Sequence, residues 1–328
     1  MSLHHPFEAL DPDTVLDVVE AVAGVRSDGR LLALNSYENR VYMVGLEEGP
    51  ALVAKFYRPG RWTDEQIREE HAFSEELAAA EVPMVAPLRC MGKTLIDSHG
   101  FRVAVYPMRG GRMLEVDDPL VLQRLGAYIG WIHTVGAAGR FEHRPVLDPG
   151  DHGRRARDYL LEGHWIPRHL EQAYATLTED LLEAMAACWG RAGAVTSIRL
   201  HGDFHPGNIL QTEDGFHLVD LDDTCTGPAI QDLWMLLPGE RAEREAYLAS
   251  VLAGYRTFRE LDARELHLVE PLRTLRLMRH AAWLAERWED PAFPRAFPWF
   301  EESRYWEEHL LALREQLAAL AEPPLSVQ

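Results

Sequence analysis

From residue 11 to residue 24 the chain reads DPDTVLDVVEAVAG, with apolar residues three and four apart, the spacing of an amphipathic helix. Asp11 can cap it, Pro12 suits its first position and Gly24 can end it. The period then shortens. Segments near 31–35, 41–46, 51–57 and 101–106 are short, apolar and bounded by turn residues, which predicts strands. One helix, from about Thr63 to Ala80, interrupts them. Beyond Gly110 and Gly111 the helical period returns and predicts long amphipathic helices near 119–138, 171–191, 240–260, 263–289 and 301–321. Only two short runs in that half predict strands, Ile209–Leu210 with its neighbours and Phe216–Asp220, flanking the turn TEDG.

The pattern therefore predicts an α+β chain with a small antiparallel-sheet lobe over 1–109 and a larger, mainly helical lobe over 110–328. The seam is VYPMRGGR, residues 105–112, and a cleft between two lobes is a favoured place for a ligand.

Composition narrows the classes of function. With 328 residues, 47% of them hydrophobic, there is ample material for a core. No apolar run approaches the roughly 18–20 residues that span a bilayer, and MSLHHPFEALDPD lacks the pattern of a secretory signal. Cys90, Cys188 and Cys225 are scattered and form no CxxC pair, which fits a reducing cytoplasm. The net charge of −19 argues against nucleic acid, and no membrane partner is expected. It suits solubility, and it also suits a cationic substrate such as a basic peptide or a polyamine-like molecule. We expect a cytoplasmic monomer.

The chemistry concentrates in HGDFHPGN, residues 201–208. A GDxH block also occurs in dinuclear metallophosphatases, but their early DxH, GNH and later histidines are missing here. Read as H-x-D-x-x-x-x-N, the stretch has the aspartate-to-asparagine interval of a kinase phosphotransfer loop. In that chemistry Asp203 reaches the attacking hydroxyl and Asn208, a turn later, reaches a Mg²⁺ on the phosphates of ATP. A second carboxylate must hold the metal, and Asp220, at the end of FHLVD, is the candidate.

A phosphate-binding lysine is then expected on a strand of the first lobe. ALVAKFY supplies Lys55, which alone would read as an edge lysine. A buried lysine needs a counter-charge. In TDEQIREEHAFSEELAAA, Glu70 lies along the centre of the apolar face at about 100° per residue, whereas Glu69 lies roughly 90° off it. Glu70 is the expected partner. No G-x-G-x-x-G loop is present. In its place NSYENRVY could cap phosphates with backbone amides, the Ser36 hydroxyl and the Asn35 and Asn39 side chains, or be a plain hairpin turn. The adenine would sit against backbone near Tyr106–Met108.

HGDFHPGN with VDLDD and GPAIQDLW resembles the aminoglycoside phosphotransferase and choline kinase group of kinase-like proteins. LNSYENRVY, LVAKFYRPGRWT, GPAIQDLWMLL and EPLRTLRLMRHAAWLAERWEDPAFPRAFPW resemble the bacterial stress response kinase A family over nearly the whole chain. That resemblance implies a two-lobed protein-kinase-like fold and a cytoplasmic serine/threonine protein kinase that uses ATP and Mg²⁺. It implies Asp203 as catalytic base, Asn208 and Asp220 as magnesium ligands, Ser36 as an ATP-site residue and Asp232 as a brace for the catalytic loop. His205, Asp222 and Asp223 keep open roles, and Trp283, Trp288, Trp299 and Trp306 read as core. Only Thr224, Cys225 and Thr226 separate VDLDD from GPAIQD, so no long activation segment is present. A kinase for a small alcohol or amino alcohol therefore stands as the alternative acceptor class, and a nucleotide-binding regulator without catalysis as the alternative to an enzyme.

Overall fold

The computed structural model describes residues 7–326 except 115, 117 and 214. The first six residues of MSLHHPFEALDPD and Asp214 of the TEDG turn lie outside the described residues. Two compact units emerge, and they do not follow a single cut of the chain. The first comprises Met1–Glu115, Phe141–Arg144 and His205–Thr224, and the second Val116–Arg140, Pro145–Phe204 and Cys225–Gln328.

In the first unit, strands β1 (Ser27–Ala33), β2 (Arg40–Leu46), β3 (Leu52–Phe56), β4 (Ile96–Ser98) and β5 (Phe101–Pro107) form an antiparallel sheet in the order β1-β2-β3-β5-β4. Edge strand β1 starts ahead of the apolar run: Ser27 pairs with Leu46, the polar residues 28–30 form an irregularity that stays exposed, and regular pairing resumes at Leu31 with Val44. Side chains alternate across the sheet. Leu52, Ala54 and Phe56 join a core with Val15, Val18, Val19 and Val22 of helix α1 (Pro12–Ala23). Lys55 and its neighbour Ala104 face the other side, where Ala104 packs with Ile67 of helix α2 (Asp64–Ala79). A capping box between Thr63 and Gln66 starts α2. A second sheet joins β6 (Arg112–Met113), β8 (Ile209–Gln211) and β9 (Phe216–Leu218).

The second unit is mainly helical. It contains α3 (Pro119–Ala137), α4 (Pro149–Glu162), α5 (Arg168–Ala192), α6 (Arg241–Tyr255), α7 (Val269–Glu286), α8 (Ala292–Ala296) and α9 (Ser303–Ala321). Helix α4 was not expected from the pattern. Its buried face is Pro149, Gly153, Ala156 and Leu160, so helical spacing is present, but Gly153 and Ala156 in its middle carry little apolar surface. Helices α4, α5, α7 and α9 share a core that includes Leu160, Tyr174, Leu181, Met278 and Trp306. Helices α3 and α6 approach closely, because a Cβ at Gly126 would collide with the Val251 carbonyl and one at Gly254 with that of Gln123.

Two further strands correct the sequence reading. Strand β7 (Ser197–Leu200) pairs with β10 (Cys225–Pro228). Each is four residues long and β10 ends in Gly-Pro, so neither shows a period; their partnership exists only in three dimensions. Helix α8 likewise falls in a proline-rich stretch between the last two expected helices, where no element was expected. Among the described residues no helix is long and apolar enough to cross a membrane.

Candidate functional site

In the first unit the ammonium of Lys55 is met by three carboxylates. Its Nζ lies 2.9 Å from Asp222 Oδ1, 3.1 Å from Asp220 Oδ1 and 3.6 Å from Glu70 Oε1. Lys55 is 6% exposed, Glu70 2% and Asp222 3%. Burial opposes the charge on Lys55, yet Asp220, Asp222 and Glu70 outweigh it and hold the lysine pKa well above its ordinary value. Burial likewise opposes the charge on Asp222, but Arg61 and Lys55 outweigh it, and that carboxyl stays well below the usual range. Glu70 differs. Burial pushes it up to about 7, with Lys55 only partly offsetting. Its Oε2 has no hydrogen-bond partner among the described residues, which leaves burial as the stronger influence.

Helix α2 explains the contrast between its two adjacent glutamates. Glu70 is on the buried face with Ile67, Ser74 and Leu77. Glu69 points elsewhere and accepts the backbone N–H groups of Glu142, His143 and Arg144 at 2.6, 2.9 and 2.7 Å. That anchorage holds Arg144 in place. Its guanidinium donates to the carbonyls of Asp222 at 2.6 Å and Thr224 at 2.9 Å. On the other side of Asp222, Arg61 pairs with the carboxylates of Asp222 and Asp223. Asn39 donates to Asp222 at 3.2 Å and accepts the Arg58 amide at 3.0 Å.

The hairpin of β8 and β9 sets the remaining oxygen donors. Its register pairs Leu210 with His217 and Ile209 with Leu218, and the Val219 amide donates to the Asn208 carbonyl at 3.0 Å. Asn208 and Asp220 therefore stand at the same open end of one hairpin. His205 caps the 3₁₀ turn Pro206–Asn208, its Nδ1 accepting the Gly207 amide at 2.9 Å. Asp220 has φ +65°, and its carboxylate is half exposed with Lys55 as its one protein partner among the described residues. An amide and an outward carboxylate at one hairpin end are hard oxygen donors of the kind Mg²⁺ prefers, and the residues fit such an ion.

In the second unit the backbone of the HGD segment hangs from Asp232. The amides of His201 and Gly202 each donate to its carboxylate at 2.8 Å, and His133 Nε2 lies 3.0 Å from Asp232 Oδ2. Asp232, His133 and His201 are fully buried. Gly202 has φ +88°, which glycine adopts without strain. Asp203, the next residue, is partly exposed, and its Oδ1 meets Arg276 of α7 at 2.5 Å.

Residues 30–267 match the model of the phosphotransferase enzyme family. The chain belongs to that family. It is 44% identical over 98% of its length to stress response kinase A of Escherichia coli O157:H7, covering 97% of that protein. It is 42% identical, with the same coverage, to the serine/threonine protein kinase RdoA of Salmonella typhimurium strain LT2. This phosphotransferase thus groups with the stress response kinase A proteins. Among solved structures, amicoumacin kinase hAmiN resembles it with a TM-score of 0.75 at 20% identity, covering 96% of this chain and 95% of that one. A microcompartment-associated aminopropanol kinase follows with a TM-score of 0.66 at 19% identity, covering 96% and 100%. These likenesses establish the kinase-like α+β fold, with an antiparallel-sheet lobe and a mainly helical lobe.

The structure of the phosphotransferase brings Lys55, Glu70 and Asp220 together, with Asn208 at the same hairpin end as Asp220. The Tyr106 ring reaches the same neighbourhood from β5, its hydroxyl 3.3 Å from that of Tyr57 and 3.5 Å from His71 Nε2. Burial pushes the Tyr106 phenol up and the His71 imidazole down, to about 3, so both stay neutral near pH 7. The Met108 amide is already committed to the Ala51 carbonyl at 3.2 Å. Ser36 donates to the Asn39 carbonyl at 3.3 Å and stays half exposed, whereas the Asn39 side chain is turned inward to Asp222 and Arg58. Of the tail tryptophans, Trp306 is buried, Trp283 and Trp288 pack partly against the core, and Trp299 is exposed.

Sequence reasoning missed Arg61, Arg144 and Arg276. A charge count held a clue: Glu70, Asp220, Asp222 and Asp223 cannot be balanced by Lys55 alone. Arg61 was within reach in FYRPGRW, six residues after the lysine. Arg144 and Arg276 lie far away in sequence and carry no local signal.

Proposed function

We propose that this phosphotransferase moves the γ-phosphoryl group of ATP, with Mg²⁺, to serine or threonine hydroxyls of proteins, itself included, as part of a bacterial stress response in the cytoplasm. The observation that carries the reading is the Lys55 cluster, in which one ammonium faces both Glu70 and Asp220, with Asn208 at the same hairpin end as Asp220. Lys55 binds the ATP phosphates and Glu70 steadies the lysine. Asn208 and Asp220 hold Mg²⁺, which when bound neutralises phosphate charge. Ser36 and its loop lie over the phosphates, and the strand backbone near Tyr106–Met108 takes the adenine. Asp203 accepts the proton of the acceptor hydroxyl as its oxygen bonds to the γ-phosphorus. The bond from that phosphorus to the bridging oxygen breaks, and ADP leaves. The protein-acceptor part draws on the name of the Salmonella relative.

A second reading is favoured by one observation. The residues between the acidic block and the following motif run into β10, paired with β7, rather than into a long segment for docking a peptide. That suits a small alcohol or amino alcohol as acceptor, the kind of substrate named for the aminopropanol kinase.

The test is incubation of the purified protein with γ-labelled ATP and Mg²⁺, wild type beside Asp203→Ala. One set of tubes carries a generic basic protein, and another carries small alcohols and aminoglycosides. Label on protein serine or threonine that vanishes in the variant supports the first reading. Label on a small molecule alone supports the second. ATP binding with no label anywhere would overturn both in favour of a regulator without catalysis.

A further inference from the structure

We propose that Arg276 is the positioning residue for the catalytic base, holding the Asp203 carboxylate in its working direction from helix α7. The inference rests on the reading of Asp203 as that base. The loop needs two kinds of restraint. Its main chain is fixed from behind by Asp232, which takes the amides of residues 201 and 202 at 2.8 Å each, and by Gln231, which donates to the Gly202 carbonyl at 2.8 Å. None of these bonds sets the side-chain torsions of Asp203. A carboxylate on a fixed Cα can still sweep through several rotamers, and only some of them aim an oxygen at an acceptor.

Arg276 supplies that second restraint. Its Nη1 donates to Asp203 Oδ1 at 2.5 Å across 73 residues of sequence. The arginine is itself well founded. Its neighbours Leu275 and Met278 are buried in the α4–α5–α7–α9 core, which fixes the helix beneath it. One turn earlier on α7, Arg273 lies over the Trp234 ring at 5.4 Å and donates to the Leu237 carbonyl at 3.4 Å. Trp234 follows Asp232 by two residues. The segment that fixes the loop backbone and the helix that fixes the base are therefore keyed to each other. A guanidinium suits the role better than an ammonium, because its planar fork holds direction as well as charge.

The pair is partly exposed, with the Arg276 side chain 48% and the Asp203 side chain 22% accessible. Exposed pairs contribute little to stability. Its value lies in geometry, where a displacement of about 1 Å can cost about a hundredfold in rate.

The experiment measures kcat and the KM for ATP in wild type, Arg276→Met, Arg276→Lys, Asp203→Asn and the double variant Asp203→Asn/Arg276→Met. Arg276→Met should lower kcat by roughly 10- to 100-fold with the KM for ATP within about threefold and the melting midpoint unchanged. Arg276→Lys should restore part of the loss, and free guanidinium ion should restore part of it in Arg276→Met but none in Asp203→Asn. The double variant should be no slower than Asp203→Asn, because the arginine acts through the base. Unchanged kcat in Arg276→Met beside a dead Asp203→Asn would overturn the role of Arg276 and leave the base intact. Full transfer by Asp203→Asn would instead overturn the base itself. A further loss in the double variant would show that Arg276 acts elsewhere.

Discussion

The Lys55 cluster and the Asp203 loop are both charged, yet they are built on opposite principles. Around Lys55 most of the charges are buried, and opposite charges compensate Lys55 and Asp222 fully and Glu70 in part. Glu70, Asp222 and the lysine are all nearly inaccessible, and Arg61, Arg144 and Asn39 close the remaining gaps. At Asp203 the loop is fixed through backbone amides and a buried aspartate, while the Asp203 carboxylate remains partly open. A buried network couples function to folding, since removing one member strands the others. A carboxylate presented on a braced backbone can be removed with little structural consequence.

The sharpest test of this contrast is Asp203→Ala. It should lower transfer by on the order of 10²- to 10⁴-fold, with ATP affinity within a few-fold and an unchanged melting midpoint. Equal loss of ATP binding, read by calorimetry, would erase the distinction between the two regions.

Lys55→Met should do the reverse and act on the fold. It leaves Glu70 buried without its cation and Asp222 with Arg61 alone, and unfolding in urea should show a loss of about 3–5 kcal/mol. A variant as stable as wild type would mean that Arg61 and Arg144 suffice for the cluster.

Asp220→Ala lies between these cases, because its side chain is half exposed. Melting should barely change, whereas Mg²⁺-dependent nucleotide affinity should fall about tenfold or more. Unchanged affinity would remove Asp220 from the metal site.

The smallest effect is a pH dependence. Burial raises the Glu70 carboxyl in the fold to about 7, above its unfolded value near 4.5. The folded state then holds a proton that the unfolded state has lost, so this group's contribution to stability is full below about 4.5 and declines as pH rises through about 7. Glu70→Gln cannot titrate. Its stability relative to wild type should rise between pH 4.5 and 7, and a difference that stays flat would place Glu70 in the same fully compensated class as Asp222.

How much of this was legible depends on the range of the interaction. Glu70 could be distinguished from Glu69 because a helix turns by a known angle per residue. Asn208 and Asp220 share a hairpin end because β8 and β9 are joined by a short turn. Helix α4 was hidden because Gly153 and Ala156 carry its buried face. Strands β7 and β10 were hidden because four-residue segments have no period of their own.

By itself the sequence determined the elements with a strong period, the aspartate-to-asparagine interval from 203 to 208, the strand lysine and the helix face that answers it. These follow from bond geometry over a few residues. Only the tertiary structure decided that Asp222 approaches Lys55 more closely than Glu70 does, that Arg61 and Arg144 complete the cluster, that Asn39 turns inward, and that Arg276 meets Asp203. Each joins segments distant along the chain; the pairs around Lys55 are selected by burial and charge balance where solvent no longer screens them, and the partly exposed Arg276–Asp203 pair by the packing that places helix α7 beside the loop.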